Sequence, residues 1–237
     1  MAFSHSPKIP TDTLIVCYDA MNPKSYPGTG TTWKDLASGY DLTLNSSATW
    51  NSSGYMNFES GIAKYLPGGT LTNIPYTGGE GTICIVSTIK AADSDWKTLV
   101  RGSVGDHHII VSSTDGISLG MYDNDGGNFQ DSGFDVDTLT NHTSEFHFMA
   151  WKLSSSSPYY EFFYDDNLSS SQATLTTAQS EFNQGFASIG GYHNFSSSPT
   201  SFSQEWGKIS IFLYYDRKLN TSELEQVYRA LKARRSL

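Results

Sequence analysis

Apolar residues along the chain fall into short runs separated by polar, turn-forming stretches. Leu14 to Ala20, "LIVCYDA", opens with an unbroken apolar run to Tyr18 and has the length of a strand. No aliphatic side chain follows until Leu36, and Pro23, Pro27, Gly28 and Gly30 exclude a helix between them. Leu42 and Leu44 then alternate with polar neighbours, and Met56 and Phe58 alternate with Tyr55 and Asn57. "GTICIVSTIKA" is a long β-branched run, followed closely by "WKTLVRGS", "HHIIVSS" and "GISLGMYDN". The "TDG" between the last two predicts a tight hairpin.

"EFHFMAWKLS" places Phe146, Phe148 and Ala150 on one face and His147, Met149 and Trp151 on the other. "PYYEFFYDD" is its hairpin partner across the serine tract from Ser154 to Ser157, and "FASIGGYH" and "GKISIFLYYDRKL" supply the last strands. Strand signals recurring every 10–15 residues or so, with no helical period before the end, predict an all-β, two-sheet antiparallel jelly-roll sandwich. Helical periodicity begins only at Asn220. Asn220 and Glu223 are spaced as a capping box, and Leu224, Val227, Tyr228 and Leu231 form one apolar stripe that must lie on the sheet.

Residues 1–12, with Pro7 and Pro10, carry no core pattern and read as an extended arm, with Phe3 and Ile9 as anchors for a partner. Residues 13–237 read as a single domain, without repeat or linker.

Composition narrows the function. The net charge of −9 repels phosphate backbones, so nucleic acid is not an expected partner. The basic "KARR" at Lys232 to Arg235 suits a helix C-terminus. No run has the length of a membrane span, and "MAFSHSPKIPTDT" lacks the pattern of a secretory signal. Cys17 and Cys84 lie in apolar runs and read as core thiols; they could pair only if their strands were neighbours.

Candidate chemistry is sparse. Glu161 and Asp165 share a strand face, but a third acid is missing and Asp165-Asp166-Asn167 reads better as a turn. No Gly-x-Ser-x-Gly elbow occurs, and the adjacent His107 and His108 point to opposite sides of a strand. No cofactor is required on this reading. Asp123, Asn124, Asp125 and Asp131 offer hard oxygen ligands around two glycines, a candidate calcium loop without EF-hand spacing. Trp96, and Tyr192 with His193 and Phe195 after Gly190-Gly191, are candidate sugar platforms; the competing reading is that each covers the core under a loop.

The opening stretch "LIVCYDAMNPKSYPGTGTTWKDLASGYDLTL" resembles the start of the laminin-G-like (concanavalin A-like) jelly-roll domains of bacteriophage virion proteins. The ending, from "IGGYH" through "GKISIFLYYDRKL" to the helix, resembles the family's close, so the likeness spans about residues 8–235. Ala37-Ser38-Gly39-Tyr40 and Phe58-Glu59-Ser60 depart from the family pattern at turns. The resemblance implies a non-catalytic structural or adhesive virion component: a capsid decoration, neck or tail appendage, located in the virion and contacting other virion proteins and host surface glycans. The alternatives are a free-standing lectin module and a glycan-cleaving enzyme, the latter disfavoured by the missing carboxylate set. In such a fold the opening loop crosses one end of the sandwich, pinned by Trp33 with its indole N–H bonded locally.

Overall fold

The computed structural model describes residues 8–74, 79–93, 95–102, 107–123, 128–176, 185–192 and 204–235, without the side chain of Asp123. The strands are β1 (Leu14–Asp19), β2 (Thr32–Trp33), β3 (Leu42–Leu44), β4 (Thr49–Asn51), β5 (Tyr55–Asn57) and β6 (Ala63–Tyr65). Next come β7 (Glu80–Ser87), β8 (Lys97–Arg101), β9 (His107–Val111), β10 (Ser118–Asp123) and β11 (Asn128–Asp135). The chain continues through β12 (His147–Ser154), β13 (Tyr160–Tyr164), β14 (Ala173–Leu175), β15 (Ser188–Ile189) and β16 (Lys208–Tyr215) to the helix α1 (Thr221–Arg235).

Two eight-stranded antiparallel sheets result among the described residues. One runs β14-β13-β12-β7-β16-β5-β4, with β1 also on β16; the other runs β11-β10-β9-β8-β15-β6-β3-β2. Their inner faces share one core containing Tyr18, Trp33, Phe58, Leu99, Ile109, Trp151, Phe162, Trp206 and Phe212. The outer face of the first sheet is also covered. Cys84, Val86, Phe148, Ala150, Ile211 and Leu213 form a second apolar cluster with Leu224, Val227 and Leu231 of α1. That double burial explains why β7 and β16 read as continuous apolar runs rather than alternating ones.

The capping box forms as the spacing predicts. Glu223 N–H donates to Asn220 Oδ1 at 3.0 Å, and Asn220 N–H donates to Glu223 Oε2 at 2.9 Å. Arg217 adds two further bonds to the Glu223 carboxylate, and these hold it below its ordinary pKa. The basic end of α1 does more than complement a dipole. Arg234 reaches the buried Asp19 at 2.5 Å, and the Arg235 guanidinium lies 3.8 Å from the Phe146 ring centre.

The cysteines are free, and register explains why. Cys17 of β1 and Cys84 of β7 both pair with Leu213, from opposite sides of β16. Two strand spacings separate them, roughly 10 Å, beyond the reach of a disulfide.

The opening loop is built around one carboxylate. Asp35 Oδ1 accepts N–H bonds from Cys17 and Ala37, and Oδ2 accepts them from Ser38, Gly39 and Tyr40, all at 2.8–3.1 Å. Ser25 Oγ ties the loop's start to its end, accepting from Asp19 N and donating to Lys34 O. Tyr26 stacks obliquely on Trp50, whose indole donates to Ala20 O at 2.9 Å. Trp33 is fully buried against Tyr18 and Phe58, with ring centres 5.3 and 6.0 Å away. One detail of the expectation is corrected: the Trp33 indole N–H has no hydrogen-bond partner among the described residues, so ring packing alone holds it.

Candidate functional site

On the outer face of the second sheet, Trp96, His107, Ile110, Tyr122, Tyr192 and Gln204 line a cavity of about 220 Å³. Strict alternation would place His107 on the core side with Ile109 and Val111. Register breaks in β8–β9 and in β9–β10 turn it outward beside Ile110.

Trp96 sits at the end of a short loop anchored by Lys97. That ammonium is buried and bonds Asp93 Oδ1 at 2.8 Å and Asp95 O at 3.2 Å. Burial tends to raise the Asp93 carboxyl, but the bonds from Lys97 and the Asp95 N–H outweigh it and leave it below the ordinary carboxylate range. Tyr122 and Phe129 face each other across the β10–β11 pair. The Trp96 ring meets both edge-on, at 5.2 and 5.5 Å between centres.

Tyr192 is delivered from the opposite side by β15, which pairs with β8 through Ser188 and Ile189. Gly190 follows with a φ of 85°, and a Cβ there would lie 2.5 Å from the Phe58 ring, so only glycine allows this turn. The Tyr192 ring stacks on His107 at 5.6 Å with an 8° tilt, and the Arg101 guanidinium lies 4.5 Å from the Tyr192 ring centre. Trp96, Tyr122, Phe129 and Tyr192 are all half-buried.

A polar chain crosses the floor. Arg101 Nε–H donates to His107 Nε2 at 3.3 Å, His107 Nδ1 meets Thr98 Oγ1 at 2.7 Å, and Thr98 Oγ1 donates to Gln204 Oε1 at 2.9 Å. The Gln204 backbone carbonyl accepts from Thr98 N at 2.9 Å, which fixes the residue over β8.

The structure thus brings Trp96 and Tyr192 together, although 96 residues of chain separate them. His193 and Phe195 lie outside the described residues, as do Asn124, Asp125 and Phe3. Tyr122, His107, Thr98 and Gln204 escaped the sequence reading. The signal for Tyr122 was its place beside the turn, with Phe129 at the matching position of the returning strand.

Of the candidate calcium ligands, Asn124, Asp125 and the side chain of Asp123 lie outside the described residues. Asp131 faces Gly120, three residues along β11 from Asn128, which pairs with Asp123. Asp131 Oδ1 accepts the Gly133 N–H at 2.8 Å. No group of three His, Cys, Asp or Glu suited to a metal occurs among the described residues. Glu161 bonds Lys218 at 3.1 Å, and Asp165 bonds His147 at 2.8 Å.

Ile9, expected to anchor on a partner, is partly buried against the cluster under α1, next to Leu14 and Cys17. Tyr215 Oη donates to Pro10 O at 3.1 Å, so this part of the arm lies along its own domain. A larger cavity of about 420 Å³ lies there, lined by Ile9, Cys17, Ile211, Leu213, Leu231 and Arg234 among others. Burial first, with Asp19 and Asp35 nearby, pushes the Cys17 thiol up to about 12, so it is not a nucleophile.

No family model matches this sequence, and no curated protein matches it. Solved structures do. Trypanosoma rangeli sialidase in complex with sialic acid aligns with 94% of this chain and 34% of its own, at 13% identity and a TM-score of 0.61. The same sialidase with 2,3-difluoro-KDN aligns with 98% and 36% at 13% identity and a TM-score of 0.62. The binding domain of botulinum neurotoxin serotype D aligns with 92% and 52% at 11% identity and a TM-score of 0.58. This chain therefore spans about a third of the sialidases and half of the neurotoxin binding domain.

At such identities the likeness establishes the fold, a β-sandwich. It also corrects the expectation that the chain is not an enzyme. Sialidase chains contain this fold, so an incomplete carboxylate set in the sequence is no ground for excluding enzymatic work. Among the described residues, no helix is long and apolar enough to cross a membrane.

Proposed function

We propose that this domain recognises carbohydrate, seating one pyranose ring in the cavity between Trp96, Tyr122 and Tyr192. The observation that carries this reading is the convergence of half-buried aromatic rings on a hydrogen-bonding floor. Aromatic faces accept the C–H face of a sugar, while Gln204 and the tyrosine hydroxyls supply the directed polar groups that a small-molecule site needs. At about 220 Å³ the cavity is smaller than the ~300–1,000 Å³ of drug-sized sites, which suits a single ring. The name of one matched structure, a sialidase in complex with sialic acid, lends support to a glycan-related role for this fold.

A hexose has about twelve non-hydrogen atoms, and about 0.3 kcal/mol for each gives about 4 kcal/mol, a Kd near ~1 mM. Glycan-array screening followed by saturation-transfer NMR tests the reading. Trp96→Ala and Tyr192→Ala should each abolish the signal without moving the melting temperature. A wild-type protein that binds no glycan, or binding indifferent to both substitutions, refutes it.

A virion role is the second reading, favoured by the resemblance of the opening loop and the ending to phage virion domains. A glycan-binding appendage satisfies both readings. Co-purification with assembled particles separates it from a free lectin.

A further inference from the structure

We infer that Gln204 makes this site selective for 2-acetamido sugars, its carboxamide nitrogen donating to the acetamido carbonyl. The inference rests on the carbohydrate reading above and adds the class of sugar.

The argument starts at Arg101, a group that can only donate. Its Nε–H points at His107 Nε2, which must therefore be an acceptor. The His107 proton then resides on Nδ1 and is donated to Thr98 Oγ1. The Thr98 hydroxyl turns its own proton to Gln204, whose facing atom is the oxygen Oε1. A flipped Gln204 would set its N–H₂ against Thr98 and take away the acceptor that the Thr98 hydroxyl proton has here. The hydrogen-bond chain that begins at Arg101 thus favours this orientation of the carboxamide.

What Gln204 offers the cavity is a donor with no accepting capacity. A sugar hydroxyl can satisfy it, but so can water, with little discrimination. A carbonyl oxygen, which only accepts, matches it best. Two ligand groups present such an oxygen, the acetamido group and a carboxylate. The domain's net charge of −9, with Asp93, Asp95 and Glu205 close along the chain, disfavours the carboxylate. The two cations nearest the floor are already engaged, Lys97 with Asp93 and Arg101 with His107 and the Tyr192 ring. An acetamido methyl also suits the apolar surface of Ile110 and the rings of Trp96 and Tyr122.

Saturation-transfer NMR titrations of the intact chain with the methyl glycosides of N-acetylglucosamine, N-acetylgalactosamine, glucose, galactose and glucuronic acid test this. One acetamido sugar should bind about tenfold more tightly than its parent hexose, the worth of one good hydrogen bond. Gln204→Glu, nearly the same shape, should remove that advantage, so that the acetamido sugar and its parent hexose bind with equal affinity. Thr98→Val frees the carboxamide to turn and should shrink the preference several-fold, with melting measured alongside. Equal affinity for acetamido and parent sugars in the wild type overturns the inference whatever the variants do, and so does a preference for glucuronic acid or one that survives Gln204→Glu. If these sugars bind equally and Trp96→Ala abolishes them all, the pocket reading stands and the selectivity fails alone. If none binds, both fall.

Discussion

Asp35→Ala removes the acceptor of five backbone N–H groups at once. Four of them belong to the exposed turn 37–40, where water replaces most of the lost bonding, so each is worth about 0.5 kcal/mol. The fifth is Cys17 N–H, a part-buried donor on β1, and stranding it costs about 1–2 kcal/mol. The total is about 3–4 kcal/mol. For a domain of this size each kcal/mol moves the midpoint by about 2–4 °C, so Tm should fall by roughly 6–16 °C. Asp35→Asn provides an internal scale. It keeps one oxygen able to accept from Cys17 and Ala37 and loses the three bonds to Oδ2, so about half the effect should return. Calorimetric or circular-dichroism melts of the three proteins decide the matter. A Tm within ~2 °C of wild type for Asp35→Ala refutes the view that this carboxylate organises the loop. Loss of glycan binding at unchanged Tm would make the loop a ligand site instead.

Two further outcomes follow from the packing. Burial disfavours a charged His147, but its bonds to Asp165 and Thr140 outweigh that and raise its pKa above 6.5. Its contribution is therefore complete below about pH 6.5 and is lost as pH rises through the higher folded value. The Tm deficit of Asp165→Asn should be largest near pH 5.5 and shrink above pH 8, and a deficit that grows with pH contradicts the assignment. Leu224 and Leu231 are buried against the first sheet, so Leu224→Asp with Leu231→Asp should cost about 2–5 kcal/mol at each site and unfold or strongly destabilise the domain. A soluble double variant with unchanged melting would move the helix face to an intermolecular contact.

Elements whose physics is local were legible in the sequence. The capping box needs only Asn220 and Glu223 at their spacing, and the apolar stripe of α1 only the 3.6-residue period. The alternation in "EFHFMAWKLS" correctly sorted Phe148 and Ala150 from Met149 and Trp151, because the two faces of β12 meet different apolar layers. Trp96 and Tyr192 were visible as large rings in loop sequence. Their meeting was not, because it depends on β15 pairing with β8 and on Gln204 bonding Thr98 across 106 positions. His107 illustrates the limit most directly. A period of two assigns it to the core, and register breaks that sequence spacing does not encode turn it into the cavity. The cysteines follow the same logic. Their distance was set by the register of paired strands, which is a property of two segments together, whereas the chain taken alone specifies only what each segment prefers.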